Sequence, residues 1–186
     1  METCASIYYI PQKPYLCIGS LRQQVLYPHD ETQQQRSPAL DAQLLGIFKV
    51  VELEEVLERC GGWDSVKEWQ DVLSGGEKQK LAMARLFYHK PKYAILDECT
   101  SAVAMASEGK MYQHAKDLGI TLLTVTHRPS LQEFHQNVIK FDGNGSYKIG
   151  RVGDPAFAVG TPVTPKAQLS AAVGAAAAEP RVDGGH

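Results

Sequence analysis

The sequence predicts an α/β fold built on a parallel sheet, and three observations predict it. Tyr93-Ala94-Ile95-Leu96 and Ile120-Thr121-Leu122-Leu123-Thr124-Val125-Thr126 are short, nearly continuous apolar runs, as strands buried on both faces require. Segments with apolar residues at helical spacing alternate with such runs. The chain has 186 residues, 44% of them hydrophobic and 22% charged, which suits one globular domain or part of one.

Taken in order, Ser6-Ile7-Tyr8-Tyr9-Ile10 is β-branched and aromatic and reads as a strand that Pro11 ends. It begins so near Met1 that a mid-sheet strand is expected to lack earlier neighbours, leaving exposed edges. Residues 20–27 and 39–59 read as helical. Leu44, Ile47, Phe48 and Val51 recur at helical spacing, as do Leu53, Val56 and Leu57, and Gly61-Gly62 closes the segment. Residues 30–38, rich in Gln, read as an exposed loop. Ser74 followed by Glu77 is a capping-box pattern. It opens a helix through Leu81, Ala82, Arg85, Leu86 and Phe87 that Pro91 ends, and the Tyr93 strand follows. Residues 107–118 read as a helix stopped by Gly119, and the next strand delivers His127. Residues 130–136 read as helical, and residues 138–141 as a last strand before Asp142-Gly143. From about Arg151 the composition shifts to Ala, Val, Gly, Thr and Pro without period, with an alanine run at residues 175–178. The domain is therefore expected to occupy residues 1–150, with residues 151–186 a disordered tail.

Composition excludes several classes. The net charge of -2 gives no broad attraction to nucleic acid or to an anionic membrane, so no nucleic-acid partner is expected. Cys4, Cys17, Cys60 and Cys99 are scattered, without metal-ligand spacing, and read as reduced thiols. The first residues lack a signal-peptide pattern, and no run reaches the roughly 20 apolar residues of a spanning helix.

The chemistry gathers around Leu73-Ser74-Gly75-Gly76-Glu77-Lys78-Gln79. A helix opening at Ser74 presents free N–H groups and the positive end of its dipole, which suits a phosphate anion. Gly75 and Gly76 let the backbone approach such a ligand closely. Alone, this is only a well-capped helix; what raises it is the apolar strand that follows and ends in Asp97-Glu98. Asp97 stands where a parallel sheet faces its ligand crevice, and a carboxylate there can hold Mg²⁺, usually through water. Glu98, one residue on, can polarise an attacking water as a general base. Two acids that merely end a strand are the bland alternative. His127 ends the next strand and can hydrogen-bond a γ-phosphate or the attacking water, though a lone His there is commonly structural. Gln12 follows the first strand and can sense Mg²⁺ or water. Lys78, Lys80, Arg85, Lys90 and Lys92 read as a solvated basic face, and Trp63 and Trp69 as core or interface anchors. No Gly-x-x-x-x-Gly-Lys-[Ser/Thr] phosphate loop occurs in the 186 residues; Gly109-Lys110-Met111 lacks both the upstream Gly and the hydroxyl.

On these motifs the chain resembles the nucleotide-binding domain of ABC transporters, and more closely that of the peroxisomal fatty-acyl-CoA (subfamily D) half-transporters. Ile10-Pro11-Gln12-Lys13-Pro14-Tyr15, Gly61-Gly62-Trp63, Trp69-Gln70-Asp71-Val72-Leu73 running into the Ser74 motif, and Ala84-Arg85-Leu86-Phe87-Tyr88-His89-Lys90-Pro91 carry the narrower match. Leu96-Asp97-Glu98-Cys99-Thr100-Ser101-Ala102-Val103 and Thr126-His127-Arg128-Pro129-Ser130-Leu131 complete it. The resemblance implies a partial P-loop NTPase-type (ABC ATPase) domain, with a parallel sheet and a helical subdomain over about residues 20–90. It implies ATP and Mg²⁺ as ligands. Gln12 takes the place of the residue linking the ATP site to the membrane domain. Ser74, Gly75, Gly76 and Glu77 form the signature that meets ATP held by a partner. Asp97 belongs to the Mg²⁺ site, Glu98 is the catalytic base and His127 the switch histidine. The implied partners are a second nucleotide-binding domain, paired head to tail, and a transmembrane domain. The implied place is the cytosolic face of the peroxisomal membrane. The family usually carries a polar or acidic residue near Ala104-Met105-Ala106, which this chain lacks, and Lys80 replaces a usual arginine. Without a phosphate loop the chain alone is expected to have negligible ATPase activity. It is expected either to complete a transporter's composite site or to act as an inactive interaction fragment. A soluble ABC ATPase of DNA repair or translation is disfavoured, because no coiled coil or second signature is present.

Overall fold

A computed structural model describes residues 7–29 and 37–157. Two compact units divide the chain, the first ending at His135 and the second beginning at Gln136. In the first unit β1 (Ile7–Ile10), β2 (Tyr93–Asp97) and β3 (Thr121–Val125) form a parallel sheet in the order β1-β2-β3. The register sets Ile10 beside Leu96, and Asp97 beside Val125. Parallel neighbours need long crossovers, and the chain supplies them as helices. These are α1 (Leu21–Leu26), α2 (Pro38–Val51), α3 (Glu54–Cys60), α4 (Trp69–Val72), α5 (Gly75–His89) and α6 (Met105–Asp117).

The core lies on one side of that sheet. Ile10, Ala94 and Leu96 are buried there, and α5 and α6 supply Met83, Leu86, Phe87, Met111 and Ala115. α2 buries Leu40, Leu44, Ile47, Phe48 and Val51, the stripe its spacing predicts. Trp69 is fully buried and donates its indole N–H to the Gly19 carbonyl at 2.7 Å, while Trp63 packs edge-on against Phe48. Both tryptophans are core anchors.

β3 departs from expectation. Its run of apolar residues reads as buried on both faces, yet Leu123 and Val125 are about half exposed, as are Ile7 and Tyr9 on β1. Alternate residues of these strands point away from the helices and remain about half exposed. Residues 39–59 are two helices rather than one. Glu52 adopts a left-handed conformation (φ 56°) and Leu53 starts the next helix. The Glu52 carboxylate explains the break, because it is drawn out to Lys110 (2.7 Å), Ser107 (2.5 Å) and Lys80 (3.4 Å). α3 ends at Gly61 in the left-handed region, as the Gly-Gly signal predicts. α6 begins at Met105, two residues before the expected start, and residues 129–134 form a 3₁₀ rather than an α-helix. Arg85 is also corrected. It does not lie on a solvated basic face but is buried, donating to the carbonyls of Gln24 and of Tyr15 (2.5 Å) beneath the Tyr27 ring.

In the second unit β4 (Asn137–Phe141) and β5 (Tyr147–Arg151) pair antiparallel, with Asp142 Oδ1 accepting from the N–H groups of Asn144 and Ser146 in the turn. β5 is not among the expected strands. The Asp142-Gly143 pair after β4 is the hairpin signal from which it was legible. The expected loop over residues 30–38 falls largely outside the described residues, as does the tail beyond residue 157.

Candidate active site

Gln12, Asp97, Glu98 and His127 arrive at one end of the sheet for a topological reason. Each follows or ends a parallel strand, and parallel strands deliver their C-terminal ends to one edge. Gln12 lies just past β1, Asp97 closes β2, and His127 follows β3. The structure brings three of these side chains into direct contact. Gln12 Nε2 donates to Glu98 Oε2 at 2.9 Å, and His127 Nε2 lies 3.0 Å from Glu98 Oε1. Glu98 itself sits at φ 45°, a conformation that costs a non-glycine residue of order 1–3 kcal/mol. Its N–H donates to the Val125 carbonyl at 2.9 Å, and its carbonyl accepts from the Ser101 N–H at 3.1 Å. Those bonds hold the turn that throws its carboxylate outward. The His127 side chain is 92% exposed, so the ring can meet a ligand from solvent.

Asp97 points elsewhere. Its Oδ2 accepts from the Tyr9 hydroxyl at 3.1 Å, and this bond raises the Tyr9 pKa. Among the described residues no three His, Cys, Asp or Glu side chains form a metal-holding group. A single carboxylate such as that of Asp97 is chemically sufficient for Mg²⁺. That ion keeps its waters and binds through one or two carboxylates plus substrate phosphates. Bound there, it would supply charge neutralisation to a phosphate. Cys99 is no competing nucleophile, since burial pushes its thiol up to about 12.

Ser74, Gly75, Gly76 and Glu77 stand at the N-terminus of α5. The capping box is complete: Ser74 Oγ accepts from the Glu77 N–H at 3.3 Å, and Glu77 Oε2 accepts from the Ser74 N–H at 2.8 Å. Arg59 takes the other Glu77 oxygen at 2.9 Å. Burial works against the Glu77 charge, but the Ser74 N–H and Arg59 outweigh it and lower its pKa. Glu77 is thus committed to shaping the helix start. The N–H groups of Gly75 and Gly76 have no intrahelical acceptor, and the Ser74 hydroxyl keeps its own proton to donate.

Beneath His127 lies a cavity of about 140 Å³ lined by Glu98, Thr100, Glu108, Tyr112, His127 and Arg128. Arg128 anchors it. Its guanidinium binds the buried Glu108 carboxylate (3.0 Å) and the carbonyls of Val103 (2.9 Å) and Ser101 (2.6 Å). Arg128 and Gln79 lie within the motif strings quoted above, yet the sequence alone assigns neither a role at the site. For Gln79 a signal existed. It shares a helix face with Ala82, Met83 and Leu86, and a polar residue on an apolar face has to find partners inside.

A family model described as ABC transporter matches residues 5–101, just over half of the chain. The chain belongs to the ABC transporter family. As an ABC-type nucleotide-binding domain it has the fold expected, and ATP hydrolysis coupled to transport is the general activity of that family. The chain is 50% identical over 155 residues to ATP-binding cassette sub-family D member 3 of Homo sapiens, covering 83% of itself and 24% of that protein. It is 41% identical to the Lysosomal cobalamin transporter ABCD4 of Mus musculus, over 78% of itself and 24% of that protein. The chain thus spans about a quarter of the length of these curated relatives. Its fold matches a solved bacterial Atm1-family ABC exporter with ATP bound, at TM-score 0.60 and 24% identity, over 73% of this chain and 23% of that one. Among the described residues no helix is long and apolar enough to cross a membrane.

Proposed function

We propose that this chain supplies half of a composite ATP-hydrolysing site in a subfamily D ABC transporter. Ser74, Gly75 and Gly76 close on the γ-phosphate of ATP held by a second nucleotide-binding domain. Glu98 is the general base, His127 orients the attacking water or the γ-phosphate, and Asp97 with Gln12 holds Mg²⁺. The observation that carries this reading is the Glu98 carboxylate, held between Gln12 and His127 on a strained backbone. A carboxylate kept in that posture is oriented for proton transfer rather than left to solvate. The motif strings shared with subfamily D favour fatty acids or acyl-CoA as cargo and the cytosolic face of the peroxisomal membrane as the place. A relative named for lysosomal cobalamin transport makes cobalamin the competing cargo.

The test is ATP turnover by the purified chain, with and without an intact partner nucleotide-binding domain bearing a phosphate loop. Turnover that needs both proteins, and that disappears when Glu98→Gln is made in this chain only, supports the composite site. Turnover unaffected by Glu98→Gln overturns it. Delivery of acyl-CoA against cobalamin by the full transporter decides the cargo.

A second reading has its own observation: the 186 residues hold a signature and no phosphate loop. The chain would then dock on an intact subunit without turning over ATP and tune it. Binding that changes the partner's rate to the same extent with the wild-type chain and with its Glu98→Gln variant favours that reading.

A further inference from the structure

Gln79 is buried on α5, 4% exposed, and its amide is fully spent. Oε1 accepts from the Ala102 N–H at 2.7 Å. Nε2 faces Ser101 Oγ (3.1 Å), the Gln12 carbonyl (3.3 Å) and the Glu98 carbonyl (3.5 Å). One side chain thus touches the segment after β1, the strained turn after β2 and the loop leading to α6. All three meet on the helix whose first turn is the signature.

A second contact makes the same connection independently. A Cβ built on Gly76 would stand 2.9 Å from the Ala102 carbonyl oxygen, and one on Gly75 would touch the Ala102 side chain at 3.9 Å. The signature turn therefore lies directly on the residue that Gln79 holds. Gly76 is required here for close approach to this chain's own backbone as well as to a ligand.

We propose that Gln79 is a positioning residue that couples the signature turn to the catalytic loops of the same chain. The inference rests on the functional reading above. When the first turn of α5 closes on a partner's ATP, α5 carries Gln79 with it. Gln79 in turn sets the Gln12 and Glu98 backbones and the position of residues 101–102. The signature turn and the loops that carry Gln12 and Glu98 are then linked by one amide. Only an amide does this: the position needs one acceptor for Ala102 and donors for oxygens on the other side.

The test is amide hydrogen exchange of the full chain, alone and bound to a partner nucleotide-binding domain loaded with ATP, paired with turnover. In the wild type, binding is expected to slow exchange both at residues 74–77 and at residues 98–102. In Gln79→Met, similar in size but without an amide, protection at residues 74–77 is retained. Exchange at residues 98–102 is then about tenfold faster than wild type. Turnover falls at least about tenfold, while the ATP concentration for half-maximal rate stays within about threefold. Gln79→Glu keeps the acceptor for Ala102 but turns a carboxylate oxygen toward the Gln12 and Glu98 carbonyls. It is expected to fail in the same way, and it serves if the Met variant does not fold. Protection at residues 98–102 that is equal in wild type and variant overturns the inference alone. No protection at residues 74–77 in the wild type overturns the functional reading and the inference with it.

Discussion

The Gln12 amide donates to the Glu98 carboxylate at 2.9 Å, joining positions 86 residues apart. His127 takes the other oxygen of the same carboxylate, so neither oxygen of Glu98 rotates freely. Gln12 leads into a loop rather than a helix or strand. Movement of that loop would release one of the two restraints on Glu98, and loop position and base orientation are therefore not independent.

Glu98→Gln keeps the shape and the acceptor for Gln12 but cannot take a proton. Turnover with a partner domain should fall by about 10²–10⁴, the range for losing a positioned base, with ATP binding retained. Gln12→Ala leaves the base and removes one restraint, so its loss should be smaller, about tenfold. Single-turnover rates of the two variants order the effects. A Gln12 loss equal to that of Glu98 would mean that Gln12 holds an essential ligand and does not merely orient the base.

Ser74 has two roles that substitutions can separate. Its side chain caps α5, and in the proposed function its hydroxyl also meets a phosphate. Ser74→Ala should cost about 1 kcal/mol of stability and Ser74→Gly only a few tenths, since glycine is tolerated at the cap. Both remove the hydroxyl, so both should weaken association with an ATP-loaded partner alike. Urea midpoints and binding constants measured side by side check this. Binding loss that tracks stability instead would make Ser74 a cap and nothing more.

Glu52 makes a pH prediction. The Lys110 ammonium and the Ser107 hydroxyl hold its carboxylate well below 4.5, at about 2. A depressed carboxylate stabilises the fold above its unfolded pKa, because at lower pH the unfolded chain takes up the proton first. The contribution is therefore complete above about pH 5 and lost as pH falls from about 4.5 to about 2. The side chain is 35% exposed, so water screens the pair and holds the effect near ~1 kcal/mol or less. The difference in urea midpoint between wild type and Glu52→Gln should be present at about pH 6, shrink below about pH 4.5 and diminish with added salt.

Much of this was legible because the signals were local. The capping box from Ser74 to Glu77, the Gly61 stop and the strand ending in Asp97 each depend on a few neighbouring residues, and all three stand in the structure. What escaped depended on distant partners. Arg85 sits among lysines in the sequence, and only folding puts the carbonyls of Tyr15 and Gln24 around it. β3 has the composition of a strand covered on both faces, and composition does not say whether a second layer is there. The split at Glu52 follows from Ser107 and Lys110, which lie 55 and 58 residues away. The contacts of Glu98 with Gln12 and His127 were implied only by strand order, which placed these residues at one edge of the sheet without giving a distance.

The Glu108 and Arg128 pair yields the sharpest stability prediction. Glu108 is 1% exposed; one carboxylate oxygen meets Arg128 at 3.0 Å, and the other has no hydrogen-bond partner among the described residues. A buried carboxylate tolerates that state only while a cation stands beside it. Arg128→Ala removes the cation and also frees the carbonyls of Ser101 and Val103, so it should cost about 3–5 kcal/mol. Glu108→Gln removes the buried charge and leaves Arg128 its two carbonyls and a route to solvent, so it should cost much less. If the stranded charge is the main penalty, adding Glu108→Gln to Arg128→Ala should restore stability rather than lower it further. The interaction energy of the cycle should then be strongly favourable. If instead the loop carbonyls are what Arg128 chiefly serves, the double variant will be as unstable as Arg128→Ala. Arg128→Lys, which keeps the charge but loses the planar fork, will then fare little better. Urea unfolding of the wild type and these variants at one pH separates these outcomes. The first pattern makes Arg128 a counter-ion for α6; the second makes it the clamp that holds residues 101–103 against the segment carrying His127.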